Sequence, residues 1–514
     1  MKNKLVTAAQ AAELVKTGDT VAIAAFAGGV SFPEEICIAL EQRFVEKNQP
    51  QDLTLVFGSG VGDSGKSDFA LNHFGHEHMV SRVVAGHVGL SSKLSALIAE
   101  NKIAAYNLPQ GVLVHILRAA AGGHPGIITH VGLHTFADPR VEGGRMNTAA
   151  QEDLCEVVTI GGKEQLFYKA LPINVALIRA TTADEFGNLT MEKEATLVEA
   201  LEAAQAAHNN GGIVIAQVER IAAKGSLNPK DVRVPGILVD YIVKARPENH
   251  RMNALVDYNP AFSGELRVPQ SQIEPMKHSA RKIIAKRCAQ ELKPDTIINL
   301  GIGVPEGVAA IALEEGISDE VFMTVESGVI GGSPASGLHI GASTNPEAII
   351  THPAIFDFYD GGGLDTAFLG LAQVDKEGNV NVSRFSGRMV GCGGFVNITQ
   401  NAKTVVFCGT FCAGKDNRGK KFVRNVEQIT FSGKYASAIG QKVLYITERA
   451  VFKLTDGTLE LIEIAPGADL QRDILDFMDF QPRISPALKI MRREIFSDEL
   501  LGLKEEFAKA EEMK

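Results

Sequence analysis

The chain has no tryptophan, and its 514 residues include only six cysteines. Cys37, Cys155, Cys288, Cys392, Cys408 and Cys412 form no C-x-x-C pair and are too sparse for a disulfide-built secreted scaffold. They read as reduced, buried thiols of a cytoplasmic protein. Long apolar runs are missing too. The longest, around 21–30, is short and broken by glycine, so no span across a bilayer is expected. The opening MKNKLVTAAQAAELVKTGD lacks the apolar core of a signal peptide. Nor is there an excess of positive charge. With 51 Lys+Arg against 61 Asp+Glu the formal net charge is -10, which gives no global attraction for nucleic acid or anionic lipid. The serine-elbow pattern G-x-S-x-G is absent, and Ser327 lies in E-S-G-V instead.

Glycine, by contrast, is abundant: 51 residues, about a tenth of the chain where about 7% is usual. It follows no G-X-Y period, so it marks loops or backbone brought close to a ligand. Hydrophobic residues at 45% and charged residues at 22% are ordinary globular usage and exclude dominant disorder. Short apolar runs at 20–26, 53–57, 82–85, 175–179 and 212–217 alternate with helical spacing such as that at 8–15. That alternation predicts an α/β fold built from βαβ units with mostly parallel sheets and packed helices. The stretch 246–276 is rich in turn signals and reads as a linker. A charged amphipathic helix follows at about 278–292. The expected units are therefore 1–245 and 277–514.

These two halves resemble each other. TGDTVAIAAFAGGVSFPEEI from Thr17 matches KPDTIINLGIGVPEGVAAI from Lys293, and TLVFGSGVGDSG from Thr54 matches FMTVESGVIGGS from Phe322. ATTADEFGNLT from Ala180 matches LAQVDKEGNVN from Leu371, and GGIVIAQVERI from Gly211 matches KTVVFCGTF from Lys403. Four short matches in one order predict an internal duplication, two similar open α/β domains.

The alignment sets Gly58 opposite Glu326. Two equivalent strand ends exist and one carries a carboxylate. Ligands of open α/β sheets bind at carboxyl ends of strands. Glu326 there, flanked by glycines, suits either a nucleophile that substrates approach closely or a carboxylate capping a nearby loop. The loop Gly301-Ile-Gly303-Val-Pro305-Glu-Gly307 suits contact at a helix N-terminus but departs from G-x-G-x-x-G, so a Rossmann dehydrogenase is disfavoured. His73, His76 and His78 lack a zinc spacing and read as a solvated helix or loop; no metal site is expected. Lys415, Arg418, Lys420, Lys421 and Arg424 form a basic run that either holds phosphates or is a solvated loop.

At YNLPQGVL from Tyr106, ADPRVEGGRMN from Ala137, NLGIGVPEG from Asn299, ESGVIGG from Glu326, the long FDFYDGGGLDTAFLGLAQVDKEGNVNVS from Phe356 and GRMVGCGGFVNI from Gly387, the chain resembles family I coenzyme A transferases. It resembles their fused single-chain form, of the acetate and propionate type. The resemblance implies that Glu326 is the catalytic carboxylate, with Val61 as an oxyanion N–H donor and Gln110 close to the acyl group. It implies that Gly301, Gly303, Val304, Pro305, Asn345, Gly391, Gly393 and Gly394 border the coenzyme A channel. The implied reaction is ping-pong transfer of coenzyme A from a short-chain acyl-CoA to a carboxylate through a glutamyl-CoA thioester. Coenzyme A is then a substrate, and no permanently bound cofactor is expected. The chain reads Glu-Ser-Gly and Gly-Gly-Ser-Pro where ketoacid enzymes read Glu-Asn-Gly and GPYP, which weakens succinyl or acetoacetate as the preferred acceptor; the class implied overall is short-chain acyl groups such as acetate, propionate, butyrate or acetoacetate. The family also implies a homo-oligomer, commonly a tetramer. An acyl-CoA hydrolase on the same scaffold and a non-catalytic metabolite-binding regulator are the competing readings.

Overall fold

The computed structural model describes residues 4–65, 68–269, 275–414 and 418–512. Two large sheets organise it. In the first, Tyr241–Lys244, Ile213–Ala222, Val175–Asp184, Thr20–Ile23 and Leu53–Phe57 lie side by side, all parallel. In the second, Lys442–Ile446, Thr404–Cys408, Thr366–Gly370, Thr296–Leu300 and Val321–Val325 do the same. The spatial order is identical, and the four matched sequence blocks fall on matched strands. The central strands are buried on both faces; every residue of Val175–Asp184 is buried.

The sheets diverge beyond these shared strands. The first continues parallel into Val80–Ala85 and Ala104–Asn107. The second becomes antiparallel at both ends, through Val329–Ile330 and Ala348–Ile349 on one side and Ala450–Thr455 and Thr458–Ile464 on the other. One consequence concerns Glu326. The chain reverses straight after Val321–Val325 into Val329–Ile330, so Glu326 sits on a hairpin at the strand's carboxyl end.

The duplicated Asp-x-x-Gly-Asn turns are built alike. One oxygen of Asp184 accepts from the backbone N–H of Phe186 and Asn188, and the other from the Asn188 side chain. Asp375 does the same with Glu377 and Asn379. Gly187 and Gly378 take φ of 90° and 76°, left-handed backbone that favours glycine.

Between the sheets the chain is packed, not slack. Met252, Asn253 and Phe262 are buried, and Ala254 N–H donates to the Gly28 carbonyl. The charged helix spans Ala280–Ala289, shorter than the pattern suggested, and Lys282, Lys286 and Arg287 turn inward while Arg281 stays exposed. Arg287 is bidentate to Glu463, and Lys286 Nζ donates to three carbonyls, those of Glu494, Ser497 and Glu499. The histidine cluster also differs from expectation. His73 is buried, held between Glu34 and Glu41 at 2.8 and 2.6 Å, because the helix Glu34–Lys47 presents both carboxylates to it. No described helix is long and apolar enough to cross a membrane. All six cysteines are free and buried.

Asp184 is fully buried and accepts three hydrogen bonds within its turn. Asp184→Ala should therefore destabilise the protein by about 2–3 kcal/mol, read as a lower denaturation midpoint. An unchanged midpoint would mean that the turn bonds are dispensable.

Candidate active site

The carboxyl-end loops of the two sheets meet along one seam. Gln110 N–H donates to the Gly393 carbonyl at 3.0 Å, and Gly393 N–H to that of Gly86 at 2.7 Å. Val88 N–H donates to Val390 at 2.8 Å. Cys392 N–H donates to Asn107 Oδ1 at 3.0 Å, and Thr196 Oγ1 to the Ser327 carbonyl at 2.6 Å. Backbone this close needs glycine. A Cβ on Gly391, at φ 94°, would come 2.7 Å from His87 Cα, and one on Gly60 would come 2.5 Å from the His87 carbonyl oxygen.

A cleft of about 280 Å³ opens along this seam. The first half supplies Phe26, Ser59, Gly60, His87 and Gln110; the second supplies Asn299, Gly301, Glu326, Gly391, Gly393 and Gly394. Its walls are mostly apolar, with Leu90, Ile340, Leu369 and Val390 among them. No Lys or Arg lines it among the described residues. His87 is half-buried, and its desolvation, with the Arg388 charge, holds its pKa down to about 4, so the ring is neutral near pH 7.

Glu326 enters this cleft from the end of Val321–Val325. A Cβ on Gly394 would stand 3.4 Å from Glu326 Cγ, so the carboxylate has bare backbone beside it. Burial raises its pKa above the ordinary glutamate range. Its own backbone N–H and the Asn299 amide act the other way, favouring the ionised form. Asn299 is tied down in turn, donating to the Thr324 carbonyl and to the Tyr359 hydroxyl, both at 3.3 Å. The site thus holds a carboxylate in a largely apolar setting.

The other expected residues divide into two groups. Gln110, Gly301, Gly391, Gly393 and Gly394 line the cleft with Glu326. Val61 follows the lining pair Ser59-Gly60 and is fully buried; its backbone N–H has no partner among the described residues. Gly303, Val304 and Pro305 lie outside the lining, running on from Gly301 into the helix Gly307–Glu314. Asn345 is placed elsewhere. Its side chain is spent on both backbone groups of Val268 at 2.8 Å, beside a separate cavity bordered by Arg267, Asp319 and Phe322. The basic run shares no face. Lys420 pairs with Asp479, Lys421 turns inward to Thr410 Oγ1, and Lys415 lies outside the described residues.

Residues 60–67 also spell G-x-x-x-x-G-K-S, the P-loop pattern. Residues 66 and 67 lie outside the described residues. A P-loop runs directly into an α-helix, whereas the next element here is the 3-10 turn Ala70–Phe74. Gly60 and Gly62 are pressed against His87 and Leu90. This loop walls the cleft.

Behind Gln110 stand two residues with no local sequence signal. His352 Nε2 is 2.7 Å from Gln110 Nε2, and His352 Nδ1 is 2.6 Å from Glu199 Oε2. Phe26 and His87 were likewise not legible, because the chain distance between the halves hides their shared wall.

A duplicated α/β scaffold with one carboxylate in an apolar cleft between its halves fits the class of enzymes that work through a carboxylate nucleophile. The comparisons with known proteins narrow it. The family model described as coenzyme A transferase matches residues 5–245. Caffeate CoA-transferase of Acetobacterium woodii is 47% identical over 97% of this chain and 98% of its own. Acetate CoA-transferase YdiF of Escherichia coli K12 is 41% identical over 97% and 96%. The crystal structure of acyl-CoA transferase YdiF from E. coli O157:H7, in a thioester complex with CoA, superposes with a TM-score of 0.91 at 40% identity, covering 98% of this chain and 97% of that one. The chain belongs to the coenzyme A transferase family.

The raised pKa of Glu326 carries a sign that can be measured. If the ionised carboxylate attacks, kcat/KM for acyl-CoA rises with pH through an apparent pKa above the ordinary glutamate range. The same shift means that the native state loses stability as pH rises from the unfolded to the folded pKa, and keeps that deficit at neutral pH. Glu326→Gln should then melt higher than wild type at pH 7, with the gap closing in acid. An equal or lower midpoint at pH 7 would contradict this.

Proposed function

We propose that the chain transfers coenzyme A between a short-chain acyl-CoA and a carboxylate by ping-pong chemistry on Glu326. The observation that carries this is the placement of Glu326: a carboxylate at the end of a central strand, in an apolar cleft walled by both halves. Its ionised oxygen attacks the thioester carbonyl, the C–S bond breaks, and CoA leaves as thiolate from a mixed anhydride. The thiolate then attacks the glutamyl carbonyl and expels the acyl group as free carboxylate, leaving a glutamyl-CoA thioester. An incoming carboxylate reverses both steps and takes the CoA away.

The remaining assignments rest on the family resemblance, with the cleft geometry in support. The unpartnered N–H of Val61 is read as an oxyanion donor. Gln110 is read as the polar contact to the acyl group. Gly301, Gly391, Gly393 and Gly394 are read as backbone against which the pantetheine arm lies, with Gly303, Val304 and Pro305 continuing that wall toward the mouth. Asn345, tied to Val268, is read as holding its own loop. The apolar walls favour transfer over hydrolysis, since both covalent intermediates need water kept away. With no cation on the lining, the acyl group is uncharged, so monocarboxylates of the acetate, propionate, butyrate or acetoacetate class fit. Residues 1–245 and 277–514 are read as the two transferase units joined by 246–276. The reading also includes a cytoplasmic homo-oligomer, a tetramer by family likeness, acting on acyl-CoA and carboxylates rather than nucleic acid or membrane.

With acetyl-CoA as donor, CoA exchange should require added carboxylate, and succinate should react about tenfold or more slower than propionate because its second charge would be buried unpaired. Glu326→Gln should lose transfer by on the order of 10⁴-fold or more. Transfer surviving in Glu326→Gln would refute the assignment. Release of CoA without carboxylate, at a rate matching transfer, would favour the hydrolase.

A further inference from the structure

We propose that Glu199 and His352 form a buried relay that fixes the side-chain amide of Gln110 in one orientation at the cleft. Both are then positioning residues for the transfer reaction. This rests on reading the Glu326 cleft as the transfer site.

The three residues stand at three helix starts that converge behind the cleft wall. Gln110 begins Gln110–Ala121, His352 begins His352–Asp360, and Glu199 caps Ala200–Asn209. Glu199 and His352 are 0% exposed and Gln110 is 2% exposed. The first two lie outside the cleft lining, and their hydrogen-bonded line to it runs through Gln110.

The polarity of the relay follows from donor and acceptor capacity. The Gln110 amide nitrogen offers only hydrogens, so the His352 Nε2 that it faces presents a lone pair, and Nδ1, 2.6 Å from the Glu199 carboxylate, carries the ring hydrogen. Across 2.7 Å that lone pair takes a hydrogen from the Gln110 amide nitrogen. Turning the amide over would set its oxygen against the lone pair. Gln110 is therefore held with its nitrogen on His352 and Oε1 on the side of Gly393, 3.5 Å from where a Cβ on that glycine would stand. Few polar groups line this cleft, so the facing of one amide decides what the acyl group meets.

The ring is held by packing as well. Phe26 meets it edge-on with centroids 5.5 Å apart, Phe356 lies at 5.4 Å, and the backbone N–H of His352 donates to the Val198 carbonyl at 3.0 Å. Space for the relay comes from Gly58, the residue aligned with Glu326. A Cβ there would stand 3.0 Å from Val114 Cγ1 and 3.5 Å from both Glu199 Oε1 and His352 Cε1. A side chain at this strand end would press first on Val114 and bring its Cβ into contact with the relay. The asymmetry between Gly58 and Glu326 thus has a structural reason: one strand end carries the carboxylate and the other houses the device that orients its neighbour.

The test is a double-mutant cycle on the full chain, with the acyl-CoA and carboxylate that wild type uses fastest. His352→Phe keeps the aromatic packing and removes both nitrogens. It should lower kcat by about 10–100-fold with KM for acyl-CoA within about twofold. Because His352 acts through Gln110, adding Gln110→Ala should cost little more. His352→Gln returns an acceptor near the Nε2 position and should recover most of kcat, and it carries the comparison if His352→Phe melts well below wild type. A kcat within twofold of wild type in His352→Phe, losses that multiply in the double variant, or a His352→Gln no better than His352→Phe would overturn the relay. None of these results touches Glu326, whose own substitution decides the nucleophile separately.

Discussion

On the proposed chemistry, a carboxylate must stay ionised in a cleft with mostly apolar walls. Burial works against that charge, and the rise in the Glu326 pKa is its direct expression. The surrounding structure answers with oriented polar groups instead of a counter-charge in contact. The Asn299 amide, tied to Thr324 and Tyr359, and Glu326's own backbone N–H partly offset the cost of burial. A lysine or arginine against the carboxylate would ionise it more fully and blunt its nucleophilicity. The lining has neither among the described residues.

The duplication makes such a cleft possible. Two sheets with the same strand order present their carboxyl ends to one another, and the seam is closed by backbone hydrogen bonds through glycine. Symmetry then breaks where chemistry requires it. The second sheet turns back after Val321–Val325 and carries Glu326 on the hairpin, while the first continues parallel and keeps Gly58. The identical turns at Asp184 and Asp375 lie where no such division of labour was needed.

Sequence reading reached whatever is local. The matched blocks foretold the shared strand order, the Asp-x-x-Gly-Asn motif foretold its turn, and the Gly58 and Glu326 mismatch pointed to one end of one strand. Glycine loops were legible as places of close approach, and Gly391 and Gly60 need that freedom. What stayed hidden depends on chain segments far apart in sequence. Glu199, His352 and Gln110 are separated by some ninety to two hundred and forty residues yet bonded in a line. His73 read as solvated because nothing near it shows that a helix from 34–47 folds two glutamates around it. Asn345 was drawn toward the channel by family likeness, while the structure spends its amide on Val268.

The central claim is that Glu326 carries coenzyme A covalently. The direct measurement is mass spectrometry of the protein after incubation with acyl-CoA alone, followed by borohydride reduction and peptide mapping. The account predicts a CoA-bearing species before reduction that disappears when carboxylate is added, and a reduced side chain confined to the peptide holding Glu326. An unmodified Glu326 in protein that still transfers coenzyme A, or an adduct on another residue, would contradict it.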